Sequence, residues 1–126
     1  MRVNAPNPGI ARLVGISIDC ADPVALGDFY REVSGWDVSY ADDDVVVLGA
    51  GAIRLGLQRV ADHRPPDWPG PDKQLHLDFA VSDLDHAEQR LLALGATKPE
   101  FQPGGDGWRV YLDPSGHPFC LSTSGA

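Results

Sequence analysis

Two ionisable side chains, His76 and Asp78, stand two residues apart in a stretch that alternates between polar and apolar positions. They would share one face of a strand, because successive strand side chains point to opposite faces. An imidazole and a carboxylate placed in this way could act as a general acid and base. On one strand the two residues are ~7 Å apart at the backbone, so direct contact requires both side chains to lean inward. The apolar face opposite them consists of Leu75, Leu77, Phe79 and Val81.

A helix follows this strand and would hold it in place. The period changes at Asp83, a suitable N-cap residue, and the helical pattern stops at Gly95, a residue type favoured just after a helix. The segment Gln74–Ala96 therefore predicts a strand, a short turn and a helix. The apolar stripe of that helix consists of Leu84, Ala87, Leu91, Leu92 and Leu94.

An earlier part of the chain repeats this unit. Leu13–Cys20 alternates like a strand. Asp22 and Pro23 suit the N-cap and the first position of a helix that would end at Gly35. The repeat predicts two modules of the same construction.

Three more predicted strands follow each helix. They are 36–40, 45–48 and 53–60 in the first half, and 97–102, 108–112 and 119–123 in the second. The intervening segment, Ala61–Asp72, contains four prolines and predicts an irregular crossing. We therefore expect a single α+β domain over residues 1–126, with one module at about 12–60, a linker at 61–72 and a second module at about 73–123.

Composition and charge narrow the possible partners. The chain of 126 residues carries a formal net charge of −8 and has no basic cluster, which disfavours nucleic acid and anionic membranes. Residues 1–10 lack the apolar core of a signal peptide, and no later run approaches the ~18 apolar residues of a membrane span. We expect a cytoplasmic protein whose two cysteines, Cys20 and Cys120, stay reduced.

The order and spacing of several short motifs resemble one known group of proteins. These motifs are Asp22-Pro23, Phe29-Tyr30 and Gly35-Trp36, then His76-Leu77-Asp78, Asp83-Leu84 and Leu94-Gly95-Ala96, and finally Trp108 and the run 113–121. Over roughly residues 12–123 the chain resembles the vicinal oxygen chelate superfamily, and within it the glyoxalase-like and bleomycin-resistance-like proteins. The resemblance implies two βαβββ modules that form a curled mixed sheet, or half-barrel, with helices outside.

The resemblance also implies positions for a divalent metal, on the first, fourth, fifth and eighth strands. They fall on Gly15, near Gln58, on His76 and on Cys120. Glycine has no side chain, an amide is a poor ligand, and a thiolate suits only a soft metal, so His76 is the one plausible ligand of the family's type. We expect no cofactor and no metal site of the usual kind. Convergence of the donor atoms of His76, Gln58 and Cys120 on one point would favour a metal site instead.

The inner face of the predicted sheet supplies the candidate ligand-binding residues. They are His76, Asp78, Arg54, Gln58 and Cys120, together with Trp68 and Trp108. We expect a protein that binds a small organic ligand in the sheet cavity, as a homodimer. The alternative is a lyase, isomerase or dioxygenase of the same superfamily, either metal-dependent or metal-free with His76 and Asp78 as the catalytic pair.

Each candidate also has a structural interpretation. His76 would then be a hydrogen-bonded histidine on a sheet face, Cys120 a small buried side chain, and Asp78 the partner of Arg54 or Arg109. The two tryptophans would pack loops. The other histidines, His63, His86 and His117, fall in predicted loops or on an exposed helix face and are not expected to bind a ligand.

Overall fold

The computed structural model describes residues 9, 12–72 and 74–123, and these residues form nine regular elements. The first module contains β1 (Gly15–Cys20), α1 (Pro23–Ser34), β2 (Val38–Ala41), β3 (Val45–Leu48) and β4 (Arg54–Arg59). The second contains β5 (Leu77–Ala80), α2 (Leu84–Ala93), β6 (Trp108–Leu112) and β7 (Pro118–Ser122). The ends of the expected single domain, residues 1–8, 10, 11 and 124–126, lie outside the described residues. None of the described helices has the length and apolar character needed to cross a membrane.

Both predicted helices are confirmed, and each starts with the same cap. The Asp22 carboxylate accepts a hydrogen bond from the Ala25 amide at 3.1 Å, and the Asp83 carboxylate accepts one from the His86 amide at 3.1 Å. Gly35 ends α1 in the left-handed conformation with φ 74°, where a side chain would be strained. The two modules therefore begin with the same strand-to-helix geometry.

The strands form two mixed sheets that do not close into a barrel, which agrees with the predicted α+β class. The orders are β1-β4-β3-β2 and β5-β7-β6. In each sheet the first strand of the module pairs in parallel with its last strand, β1 with β4 and β5 with β7. The equivalent pairing in both sheets supports the interpretation of the chain as a repeat.

The predicted strand over 97–102 is wrong, so the second sheet has three strands. Thr97 alone forms an isolated antiparallel bridge, with Leu112. Pro99 cannot donate a backbone hydrogen bond, and the Gln102 side chain takes the place of a strand. Its amide donates to the Val110 carbonyl and accepts from the Val110 amide, both at 2.9 Å.

The core lies between the sheets and the helices and joins the two modules. Aromatic rings from both modules meet there, with centroid distances of 5.9 Å between Phe29 and Phe119 and 6.3 Å between Tyr30 and Phe79. The Tyr30 hydroxyl also donates to the Asp113 carboxylate at 2.6 Å, and both residues are buried. The apolar faces of the strands thus pack into the core, and the opposite faces are available for a binding site.

Candidate functional site

His76 and Asp78 are in direct contact. Nε2 of His76 lies 3.2 Å from Oδ1 of Asp78, so both side chains lean inward as contact between them requires. His76 immediately precedes β5 and Asp78 is its second residue, which places both on the face turned away from the core. Their side chains are 34% and 75% exposed, so an incoming molecule can reach both groups.

Cys120 completes a cluster of three different donor types. It pairs with Asp78 in the parallel register of β5 and β7, so the two side chains stand side by side on one sheet face. The imidazole nitrogen of His76, a carboxylate oxygen of Asp78 and the sulfur of Cys120 all lie within 4.8 Å of one another. The residue Cys120 is only 8% exposed.

Two adjoining cavities surround this cluster, and we call them together the sheet cavity. Their volumes are about 360 and 210 Å³, and both are lined by His76, Cys120 and Trp108. Asp78 lines the larger of the two, and Trp68 lines the smaller. Five of the seven predicted ligand-binding residues therefore meet around one space of a size that suits a small molecule.

Two loop residues, Trp68 and Phe101, and the first residue of β6, Trp108, form the aromatic wall of the sheet cavity. The rings of Trp68 and Phe101 pack at a centroid distance of 5.8 Å. Gly104 lies directly against Trp108, where an added Cβ would collide with the indole ring and with the backbone oxygen of Trp108. This glycine is therefore needed for the position that Trp108 occupies.

The structure places Arg54 and Gln58 elsewhere. Both belong to β4 in the other sheet, opposite Gly15 and Asp19 of β1, and both are exposed. Neither is among the residues that line the sheet cavity. Arg109 is on the core side of β6 and pairs with Asp85 and Glu88, not with Asp78.

The four metal positions implied by the resemblance are divided between the sheets. Gly15 and Gln58 lie in the four-stranded sheet, and His76 and Cys120 lie on the three-stranded one. The first position offers no side-chain donor, and the second is not among the residues that surround His76. The chain does not supply the ligands of a hard, octahedral cation at these positions.

A further cavity, of about 560 Å³, lies where β1, the crossing segment and the start of β5 meet. We call it the junction cavity. His63 and His117 line it together with His76, and the rings of the first two lie 5.2 Å apart. Nε2 of His63 is buried and has no hydrogen-bond partner among the described residues, whereas Nε2 of His117 lies beside the Asp19 carbonyl.

The residue pattern of the sequence did not identify His63 and His117 as cavity residues. The only available signal was proximity in sequence to the prolines of the crossing segment and to the Asp113–Gly116 turn. Loop positions of this kind depend on tertiary packing, which residue spacing does not encode.

The two cysteines have different surroundings. Cys20 is fully buried on the core face of β1, and burial together with nearby carboxylates raises the pKa of its thiol to about 11. It therefore remains protonated and chemically inert at neutral pH. Cys120 lies on the other sheet, and no disulfide joins the two residues.

Comparison with known proteins agrees with this geometry. The glyoxalase-like domain family matches residues 15–122. Among solved structures, a glyoxalase/bleomycin resistance protein/dioxygenase family enzyme from Burkholderia phytofirmans PsJN superposes with a TM-score of 0.68 at 21% identity, covering 88% of this chain and 97% of its own. A lactoylglutathione lyase from Agrobacterium tumefaciens gives a TM-score of 0.61 at 22% identity, with 92% and 95% covered.

A glyoxalase-related enzyme from Fulvimarina pelagi is similar to the same degree, with a TM-score of 0.65, 20% identity and coverages of 90% and 88%. No curated protein matches the chain significantly. At these identities the structural likeness establishes the fold, and the family match covers most of the sequence. The chain therefore belongs to the glyoxalase-like domain family, within the vicinal oxygen chelate superfamily.

Proposed function

We propose that this protein binds a small organic molecule in the sheet cavity, without the family's usual divalent metal site. The observation that carries the proposal is the convergence of His76, Asp78, Cys120, Trp68 and Trp108 on that space. Indole faces provide apolar contact, while the imidazole and carboxylate provide polar contacts that fix orientation. The names of the similar structures, which include a lyase and a glyoxalase/bleomycin resistance protein/dioxygenase family enzyme, support an oxygen-bearing organic ligand.

The test is a thermal-shift screen with a library of small oxygen-bearing aromatic and aliphatic acids, carried out on chelator-treated protein. A true ligand raises the melting temperature, because at 100 times its Kd it adds ~2.7 kcal/mol to the stability of the folded state. His76→Ala should weaken binding of that compound at least about tenfold, since it removes a central polar contact.

The matched control is Arg54→Ala. This arginine is also exposed on a sheet but lies outside the sheet cavity, so its removal should leave binding unchanged. Loss of affinity in Arg54→Ala with no loss in His76→Ala would refute this location of the ligand. Quenching of tryptophan fluorescence gives a second readout. It should decrease in Trp108→Phe, where Trp68 still lines the cavity, and persist in full in Trp36→Phe, because Trp36 packs beside Gly49 in the first module.

A second candidate is metal-free acid–base catalysis, favoured by the 3.2 Å contact between His76 and Asp78. A base at this distance from its partner could remove a proton from a carbon acid bound beside it, and later return a proton to the same carbon. Deuterium incorporation from D₂O into a bound compound, followed by NMR, measures this step. Asp78→Asn should abolish the exchange and retain binding; equal exchange in the variant would exclude the pair as the catalyst.

We further propose that the protein acts in the cytoplasm as a homodimer. The four-stranded sheet has β1 and β2 at its edges, and exposed apolar side chains lie on or near them. They are Leu13, Val14, Val38 and Ile53. Exposed apolar side chains at open strand edges favour association.

Light scattering coupled to gel filtration measures the mass in solution. A dimer is expected, and Val38→Lys should convert it to a monomer because a charge would be buried at the contact. Phe101→Lys changes an equally exposed apolar residue near the other sheet and should leave the dimer intact. A monomeric wild-type protein at micromolar concentration would contradict the proposal.

A further inference from the structure

The cluster of His76, Asp78 and Cys120 has the composition of a site for a soft or borderline metal ion. It combines one nitrogen, one oxygen and one sulfur donor, all within 4.8 Å of one another. Zinc binds these three donor types at ~2.0–2.3 Å, so tetrahedral ligands lie roughly 3.3–3.8 Å apart. The 3.2 Å between His76 Nε2 and Asp78 Oδ1 already approaches that spacing.

The sheet holds these donors in fixed register. Asp78 and Cys120 are direct partners on adjacent parallel strands, and His76 lies two residues before Asp78 on the same face. Because the strand pairing sets the backbone positions, binding of one ion requires the side chains to close from separations of up to 4.8 Å to the spacing of metal ligands. The backbone of the site is therefore preorganised.

We propose that these three residues bind one divalent cation of the zinc class, with the fourth coordination position open to the sheet cavity. A carboxylate and a thiolate balance the charge of the ion, so the bound site is neutral overall. The cavity lined by Trp108 leaves room for a water molecule or ligand atom at the fourth position, as in open zinc sites with three protein ligands. The thiolate excludes magnesium and calcium, which take oxygen ligands.

This ligand set differs from the one that the family resemblance implies. All three donors come from the second module, and Asp78 has no counterpart among the four inferred positions. The metal class differs as well, because Cys120 replaces a hard donor with a soft one. The inference goes beyond the proposed function, since the organic ligand and the metal are tested separately.

Cobalt titration tests the site directly. Untagged protein, reduced and stripped with a chelator, should bind one Co²⁺ at micromolar or lower Kd. The complex should show the visible bands of tetrahedral cobalt and a near-ultraviolet thiolate-to-cobalt band, and Zn²⁺ should displace the cobalt. Absence of stoichiometric binding, or spectra of octahedral cobalt without a thiolate band, would overturn the proposal.

Single substitutions assign the ligands. Cys120→Ser should remove the thiolate band, and Cys20→Ala should keep it, because Cys20 is buried in the other sheet. His76→Ala should raise Kd about 100-fold, whereas His86→Ala, which removes an exposed imidazole from α2, should not. A thiolate band that survives in Cys120→Ser, or is lost in Cys20→Ala, would contradict the assignment.

Asp78→Asn keeps nearly the same side-chain shape at a position that is 75% exposed, so we expect this variant to fold like the wild type. It should weaken Co²⁺ binding about tenfold or more and leave the melting temperature of the metal-free protein unchanged. Unchanged Kd in this variant would remove Asp78 from the site and overturn the three-ligand proposal. The ligand screen uses chelator-treated protein, so a failure of either proposal is visible independently of the other.

Discussion

At the scale of single residues, one buried hydrogen bond connects the two modules. The Tyr30 hydroxyl donates to Oδ2 of Asp113 at 2.6 Å, and Oδ1 of the same carboxylate accepts from the amides of Ser115 and His117. Burial and the neighbouring carboxylate raise the pKa of Tyr30 far above its ordinary value, so the phenol stays a donor. This bond fixes the turn that carries His117 to the junction cavity.

Tyr30→Phe should lower the free energy of unfolding by about 2 kcal/mol, because it leaves one oxygen of a buried carboxylate without its donor. The aromatic packing is retained, so the loss reports the hydroxyl alone. Chemical denaturation monitored by circular dichroism measures it.

Tyr40→Phe is the matched control. Its hydroxyl also donates to a carboxylate, that of Asp42 at 2.7 Å, but the pair is exposed. Water replaces the lost partner there, so the stability should hardly change. Equal losses in the two variants would show that burial does not set the strength of the Tyr30 bond.

The chemistry-bearing residues of the sheet cavity could be predicted because they lie on strands. Alternation placed His76, Asp78 and Cys120 on non-core faces, and the structure brings these three together. It did not reveal that Arg54 and Gln58 belong to a different sheet from His76, because strand order is a tertiary property. His63 was missed for a related reason, since its position depends on how an irregular segment packs.

At the scale of elements, α1 packs unusually close to β3. A Cβ added at Gly27 would come within 2.8 Å of Cγ1 of Val46, so the glycine permits the contact. Alanine is favoured over glycine in a helix by ~1 kcal/mol, and overpacking opposes it by ~1–3 kcal/mol. The two effects act in opposite directions at this position.

Gly27→Ala should therefore fail to stabilise the protein, with a net loss of ~0–2 kcal/mol in the free energy of unfolding. In a Val46→Ala background the crowding is removed, and the same substitution should stabilise by ~0.5–1 kcal/mol. A double-mutant cycle by urea denaturation measures the coupling. Stabilisation of similar size in both backgrounds would mean that the helix moves away without loss.

The two helices were predicted correctly because residues next to each helix end determine where it starts or stops. Both helices carry an aspartate cap at the start, and α1 ends at a glycine, so their limits follow from local chemistry. The segment 97–102 shows the limit of this reasoning, because its pattern resembled a strand while Gln102 bonded to Val110 through its side chain. A side-chain amide has the same donor and acceptor as a peptide group, and no residue pattern distinguishes the two uses.

At the scale of the whole molecule, α2 is attached to the second sheet by a charged network centred on Glu88. Its carboxylate accepts from Lys98 at 2.8 Å and from the buried Tyr111 hydroxyl at 2.8 Å, and it lies 3.4 Å from Arg109. These contacts lower the pKa of Glu88, with Lys98 the main cause, and burial raises the pKa of Tyr111 to about 12.

A lowered carboxyl pKa makes stability depend on pH with a definite sign. The ionised Glu88 carboxylate stabilises the folded protein at any pH above the pKa that Glu88 has in the unfolded chain. This stabilisation is lost as the pH falls through the lower pKa of Glu88 in the folded protein. Glu88→Gln should therefore be less stable than the wild type at neutral pH, and the difference should shrink in acid. Urea denaturation between neutral pH and about pH 3 measures both curves.

Glu100→Gln is the control, because Glu100 is an exposed glutamate in the segment between α2 and β6. The free energy of unfolding of this variant should equal that of the wild type at every pH. A Glu88→Gln deficit that stays constant into acid would indicate that the network acts through packing and not through the carboxylate charge.

Because β1 pairs with β4 and β5 pairs with β7, the segment that links the modules lies outside both sheets. In the described residues every strand pairs within its own module, so a break in the crossing segment 61–72 would interrupt no hydrogen-bond ladder. The contacts among the rings of Phe29, Tyr30, Phe79 and Phe119, which join the modules, also do not involve this segment. The crossing segment thus forms part of the wall of two cavities without belonging to either sheet.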